Sequence, residues 1–227
     1  MTANPKILRR YTDVPALLYL LNRKAVTLLD PVSWEDTNDS HYLSLYKGYR
    51  RLGCLLALCF TQAGESYHHW RVFANGAGGV CVQFDRVALL AAVKLHDGIR
   101  ARSVKYLTLS AIRSTPPSAR NLPFVKRYAY AHEKEFRIIY ESHSDDPVTL
   151  DIPVVLDAIV RITLSPWIQP TLSAELRKML KAIPGCSHLE VARSTLIGND
   201  EWKRLGENAA RSASTRLPTK SLKRRRG

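Results

Sequence analysis

Short apolar runs alternate with polar, cap-bearing stretches along the chain, and strand-like runs outnumber helical ones. Lys6–Thr12 (KILRRYT) reads as a first strand. Asp13 then caps a helix over Val14–Asn22, with Pro15 in the tolerated first turn. Ala25–Leu29 is a second short strand, closed by Asp30-Pro31, and Ser33–Ser40 (SWEDTNDS) is a polar loop anchored by Trp34. His41–Arg51 suits a helix, and Cys54–Phe60 (CLLALCF) is apolar throughout, as a central strand is. Ser66–Asn75 spaces Tyr67, Trp70 and Phe73 as one face of a short helix. Val80–Phe84 is a strand, and Asp85 caps a helix over Arg86–Lys94.

Ile99–Thr108 reads as a further strand, Ser110–Pro123 as a basic Pro/Ser-rich loop, and Phe124–Ala131 as a helix. Strands over Val148–Val154, Val160–Leu164 and Leu189–Leu196 complete the set. Between the last two, Leu172, Leu176, Met179/Leu180 and Ile183 stripe a helix over Thr171–Ile183, stopped by Pro184-Gly185. The class this predicts is α+β (mixed α/β): a central, mostly antiparallel or split sheet with short flanking helices. One globular domain is expected over 1–202. A basic tail without persistent structure is expected over 203–227, since the chain from Gly206 onward is Ser/Ala/Arg-rich and aperiodic.

The stretch Tyr128–Tyr140 (YAYAHEKEFRIIY) carries the densest chemistry. With an extended backbone from His132, alternation puts Glu133, Glu135 and Arg137 on one face and Phe136, Ile138 and Tyr140 on the other. An edge strand with a solvated polar face is the alternative reading of the same pattern. Gly76–Gly79 is no phosphate loop: helix precedes the glycines and strand follows, the reverse of the dinucleotide-binding order.

Length and composition, 227 residues with 45% hydrophobic and 24% charged, are those of an ordinary globular chain. The net charge of +14 is not. Eight of those charges lie in residues 202–227, which leaves a body of +6 and makes nucleic acid the first partner to expect. Arg113, Arg120, Lys126 and Arg127, with Lys223, Arg224, Arg225 and Arg226 in the tail, are the candidate phosphate contacts. Cys54, Cys59, Cys81 and Cys186 form no C-x-x-C pair and stand at no ligand-like spacing from the histidines, so neither a disulfide framework nor a metal site is expected. With no signal peptide and no apolar run of spanning length, a cytoplasmic protein without membrane contact is expected.

The order L-x-R-Y-T (Leu8–Thr12), W-E-D-x-N-D (Trp34–Asp39), H-W-x-x-x-A-x-x-x-x-G-V-C-V-x-F-D (His69–Asp85) and E-K-E-F-R (Glu133–Arg137) resembles a bacterial family of unknown function. That family has a Tyr-rich first strand, an F-N-D-P-x-E loop, a W…G-V-C-I-x-F segment and E-x-E-W-R. The resemblance runs from Leu8 to Leu196 and implies a setting near mobile elements and anti-phage loci, with a toxin or defence partner. Thr37-Asn38-Asp39 departs from the family's tighter loop.

A second resemblance is to the mono-ADP-ribosyltransferases, which carry an Arg or His on the first strand and an E-x-E or Q-x-E motif opening a late one. It implies an ADP-ribosyltransferase-like fold with NAD as substrate. Glu135 would be the principal catalytic group and Glu133 its helper, and Arg10, Tyr11, His69, Trp70 and Arg137 would contact the cofactor. A fixed carboxylate suits the oxocarbenium-like cation that forms as the nicotinamide–ribose bond breaks. Two other readings stay open. One is a non-enzymatic nucleic-acid-binding or defence-adaptor module; the other is a nuclease using Glu133, Glu135 and His132.

Overall fold

The computed structural model describes residues 6–74, 76–144 and 147–214. They divide into two compact units, with the boundary between Ser194 and Thr195. In the first, β1 (Ile7–Asp13) leads into α1 (Val14–Arg23), whose first turn is capped by Asp13 Oδ1 accepting from the Ala16 amide at 2.9 Å. Next come β2 (Ala25–Leu29), α2 (Thr37–Arg50), β3 (Cys54–Thr61), α3 (Tyr67–Phe73), β4 (Gly79–Asp85) and α4 (Arg86–Val93). The second half runs through β5 (Ile99–Ser103), β6 (Lys105–Leu107), α5 (Leu109–Ser114), β7 (Val125–Arg127), β8 (Glu135–Ser142), β9 (Thr149–Pro153), β10 (Ile159–Leu164), α6 (Pro170–Ala182) and β11 (Val191–Arg193). The second unit holds α7 (Asp200–Ser214).

The class is α+β, with a central sheet ordered β11-β10-β4-β1-β3-β2-β9 and β8 and β5 branching from β3. Every pairing in that sheet is antiparallel except β10 with β11. The decisive feature is how β3 is held. One edge pairs with β8 along its whole length, from Cys54↔Ser142 to Thr61↔Glu135. The other edge meets β1 only at Arg9↔Thr61 and β2 only at Leu29↔Ala57. Between those two bridges, Leu58, Cys59 and Phe60 face an opening, so the sheet is split.

Alternation sorts the residues around this split. Leu56, Leu58 and Phe60 of β3 join Phe136 and Ile138 of β8 in the main core, together with Leu17, Leu20 and Leu21 of α1, Leu89 of α4 and Leu180 of α6. On the opposite face, α2 packs Leu43 and Tyr46 against Leu55, Ala57 and Ile139. Trp70 of α3 packs there against Cys81, with Tyr11 beside it. Two helices thus stand on one face of the sheet on either side of the gap.

Several expected elements differ. The loop Ser33–Ser40 is shorter than expected, because Asp36 Oδ1 accepts from the Asn38 amide at 3.1 Å and starts α2 at Thr37. The strand expected over Ile99–Thr108 breaks at Val104 into β5 and β6, and the Ser110–Pro123 loop contains part of α5 and a 3-10 turn over Ala119–Phe124. The helix expected over Phe124–Ala131 is instead β7 followed by a 3-10 turn over Tyr128–Glu133. Residues 206–214, expected to lack structure, are helical in α7. Lys223, Arg224, Arg225 and Arg226 lie outside the described residues.

A candidate active-site cleft at the split in the sheet

A cleft of about 690 Å³ occupies the gap. Its floor is the open edge of β3, from Ala57 to Thr61. One wall carries Arg9, Arg10 and Tyr11 of β1 with His69, Val72 and Phe73 of α3. The other carries Trp34, Asp39, Lys126, Tyr130, Glu133 and Glu135. Its size falls within the usual range for small-molecule sites.

Glu135 opens β8 directly beside Thr61, with Arg137 two residues on along the same face. Arg137 is completely buried. Its Nε donates to Glu135 Oε1 at 2.7 Å, its Nη1 to Asp39 Oδ1 and the Pro123 carbonyl at 2.9 Å each, and its Nη2 to Asp39 Oδ2 at 2.6 Å. The Trp34 ring lies 5.0 Å from the guanidinium carbon. The planar fork of Arg is matched here to a bidentate carboxylate. A cofactor contact was expected of Arg137; with no exposed surface it cannot touch one, and it orients Glu135 instead.

Lys126 was expected on a nucleic-acid surface. It turns into the cleft, where Nζ lies 2.8 Å from Glu133 Oε2, 3.5 Å from Glu135 Oε2 and 3.7 Å from Asp39 Oδ2. Its charge is balanced within this cluster. Arg113, Arg120 and Arg127 are exposed, as surface phosphate contacts require.

The two acids are unequal. Burial would raise the Glu135 carboxyl, but Arg137 and Lys126 outweigh burial and hold it at about 2, ionised at any physiological pH. Burial raises Glu133, and Glu135 adds to that, against the pull of Lys126. One carboxylate is therefore fixed as an anion while its neighbour is pushed toward holding a proton, a separation typical of paired acid–base groups.

The strand alternation expected to carry Glu133 to the site is absent, because β8 begins only at Glu135. Glu133 ends the 3-10 turn, and Lys134 adopts a left-handed conformation (φ 44°, ψ 48°) before β8 begins. That single reversal lets two carboxylates on different elements converge on one lysine.

Across the gap, burial lowers the Arg10 guanidinium to about 10, and it stays cationic at neutral pH. Among the described residues its side chain has no hydrogen bond or ion pair, and the longer-range pull of Cys59 and Asp13 offsets its burial only in part, so a weakly compensated cation lines the cleft. The Tyr11 and His69 rings stack at 5.3 Å with an interplanar angle of 16°. Ser66 Oγ holds His69 Nδ1 and caps α3, and burial lowers His69 against the opposing pull of the Glu133 backbone. Trp70, expected to sandwich a cofactor with Tyr11, is fully buried. Its indole N–H donates to Glu65 Oε1 at 2.7 Å and it meets Tyr11 edge-on. It supports the wall and does not line it.

Asp39, the bidentate partner of Arg137, carries no role in the sequence pattern beyond the W-E-D-x-N-D motif. Its signal was local: once Asp36 caps α2, Asp39, Leu43 and Tyr46 fall on one helical face and are buried together. A second grouping joins one distant residue to an adjacent pair, which no local motif shows. His68 of α3 and His132 and Glu133 of the 3-10 turn bring their ligand atoms within 4.8 Å of one another.

No protein-family model matches the chain, and no curated protein matches it. Among solved structures, it is similar to DarT of Thermus sp. 2.9 in complex with NAD+, at 11% identity and a TM-score of 0.45 over 86% of this chain and 98% of that one. The same enzyme in complex with ADP-ribosylated ssDNA aligns at 12% identity and a TM-score of 0.44, covering 84% of this chain and 94% of that one. Its complex with carba-NAD+ aligns at 11% identity and a TM-score of 0.43, over 84% and 96%.

Proposed function

We propose that the chain is an NAD-dependent ADP-ribosyltransferase that modifies a nucleic acid. The observation that carries this reading is one cleft holding an ionised carboxylate, Glu135, opposite a cation without a close ion-pair partner, Arg10, beside an aromatic stack. Arg10 is suited to a phosphate or ribose of NAD, and the Tyr11–His69 wall to its flat nicotinamide. In the reaction the bond between ribose C1′ and the nicotinamide nitrogen breaks, and its electron pair leaves with neutral nicotinamide. The cation left at C1′ is stabilised by Glu135, whose charge is preset by Arg137 and needs no rearrangement as the reaction proceeds. An acceptor oxygen or nitrogen then bonds to C1′ and gives its proton to Glu133. The raised affinity of Glu133 for protons brings it nearer the working pH of a general base.

The +6 body and the exposed Arg113, Arg120 and Arg127 support a polyanionic acceptor. The test is label transfer from adenylate-labelled NAD to DNA, RNA or protein, with wild type beside Glu135→Gln. Transfer to nucleic acid by wild type, falling at least about a hundredfold in Glu135→Gln, is expected. Polyanion binding with no NAD binding or consumption would replace this reading with the non-enzymatic one. Transfer that persists in Glu135→Gln would remove that residue from the chemistry.

A further inference from the structure

His68 and His132 come from different elements, yet their rings sit edge to face with centroids 4.3 Å apart. Both are exposed and free to adjust. Beside them is the buried carboxylate of Glu133. Its Oε2 accepts from Lys126, while its Oε1 accepts no hydrogen bond among the described residues. The three ligand atoms lie within 4.8 Å of one another. Tetrahedral Zn2+ with bonds of about 2.0–2.1 Å needs ligand atoms about 3.3 Å apart, a closure that small side-chain rotations supply. Two imidazoles and one carboxylate form a borderline donor set that favours Zn2+ and its neighbours over the oxygen-seeking Mg2+ and Ca2+.

We propose that His68, His132 and Glu133 form a zinc-type site at the mouth of the cleft, with water as the fourth ligand. An ion there ties α3 to the turn before β8, and so links the two walls of the cleft. It also engages the carboxylate of Glu133 and prevents it from accepting a proton. The ion is therefore an inhibitor of transfer, an effect that rests on the function proposed above; the binding itself does not.

The experiment titrates Zn2+ into tag-free, chelator-treated full-length protein by calorimetry, without NAD. One ion per chain is expected, undisturbed by millimolar Mg2+. His68→Ala and His132→Ala should each weaken binding by more than about tenfold, as loss of even an indirect support to a metal ligand does. His188→Ala, whose exposed ring pairs with Asp157, should leave binding unchanged. Thermal melts in chelator establish that the variants fold. No zinc binding by wild type, wild-type affinity in both ligand variants, or an equal loss in His188→Ala, overturns the site. In a second arm, zinc should suppress NAD consumption by wild type, while His68→Ala keeps its basal turnover and needs more than about tenfold more zinc for the same suppression. Stoichiometric zinc with undiminished turnover overturns the inhibitory role. Zinc binding by a chain that consumes no NAD leaves the site standing and removes the transferase reading.

Discussion

Arg137 is the residue on which the cleft's chemistry depends, because its charge sets that of Glu135. The linkage has a definite sign. An unfolded Glu carboxyl titrates near about 4.3, so the depressed folded value of Glu135 contributes stability that is complete above that range and lost as the pH falls toward about 2. A shift of this size corresponds to about 3 kcal/mol. Glu133, raised, acts with the opposite sign: it lowers stability as the pH climbs past its unfolded value. Urea midpoints at pH 5 and pH 3 should therefore fall steeply for wild type and less steeply for Glu135→Gln. That Glu133 and Glu135 stand together was legible in E-K-E-F-R. The buried role of Arg137 was not, since its bidentate partner Asp39 lies far away in sequence and only the tertiary fold unites them.

Among the elements, legibility followed length and capping. The helices begun by Asp13, Ser66 and Asp85 start where those side chains accept from the first-turn amides, at 2.9, 3.2 and 2.8 Å. Residues 109–134 were read less well because their elements are a single turn or three residues long, too short to show a period. There Pro123 sits inside a 3-10 turn, and Tyr106 Oη of β6 accepts from the Glu135 amide at 2.7 Å, so backbone groups are satisfied without a long ladder. Lys134 is the pivot of this segment. A β-branched residue is strained in the left-handed region, so Lys134→Val should lose roughly 1–2 kcal/mol by urea denaturation, while Lys134→Gly should stay within about 0.5 kcal/mol of wild type.

For the whole molecule, the basic balance was visible in composition, and the antiparallel α+β class followed from the succession of short strands. The split was not visible: nothing in CLLALCF distinguishes an edge paired throughout from one touched at two points, because both faces of β3 are covered either way. The excess of positive charge has a measurable consequence. Nucleic-acid affinity should fall linearly in log–log form with salt, and each surface arginine removed, Arg113, Arg120 or Arg127, should reduce the slope by about one. A slope unchanged by all three substitutions would place the acceptor elsewhere.

The two single bridges that hold β3 to β1 and β2 also bear on how the fold opens. A strand ladder resists separation in proportion to the bonds that must break together, and here the β3–β8–β5 layer is joined to its neighbours through isolated bonds. The amides along this seam should therefore exchange before those of the main core that the two halves share. The cleft would then widen and narrow by loosening along this seam, and under the function proposed above the same walls would set how fast a product leaves.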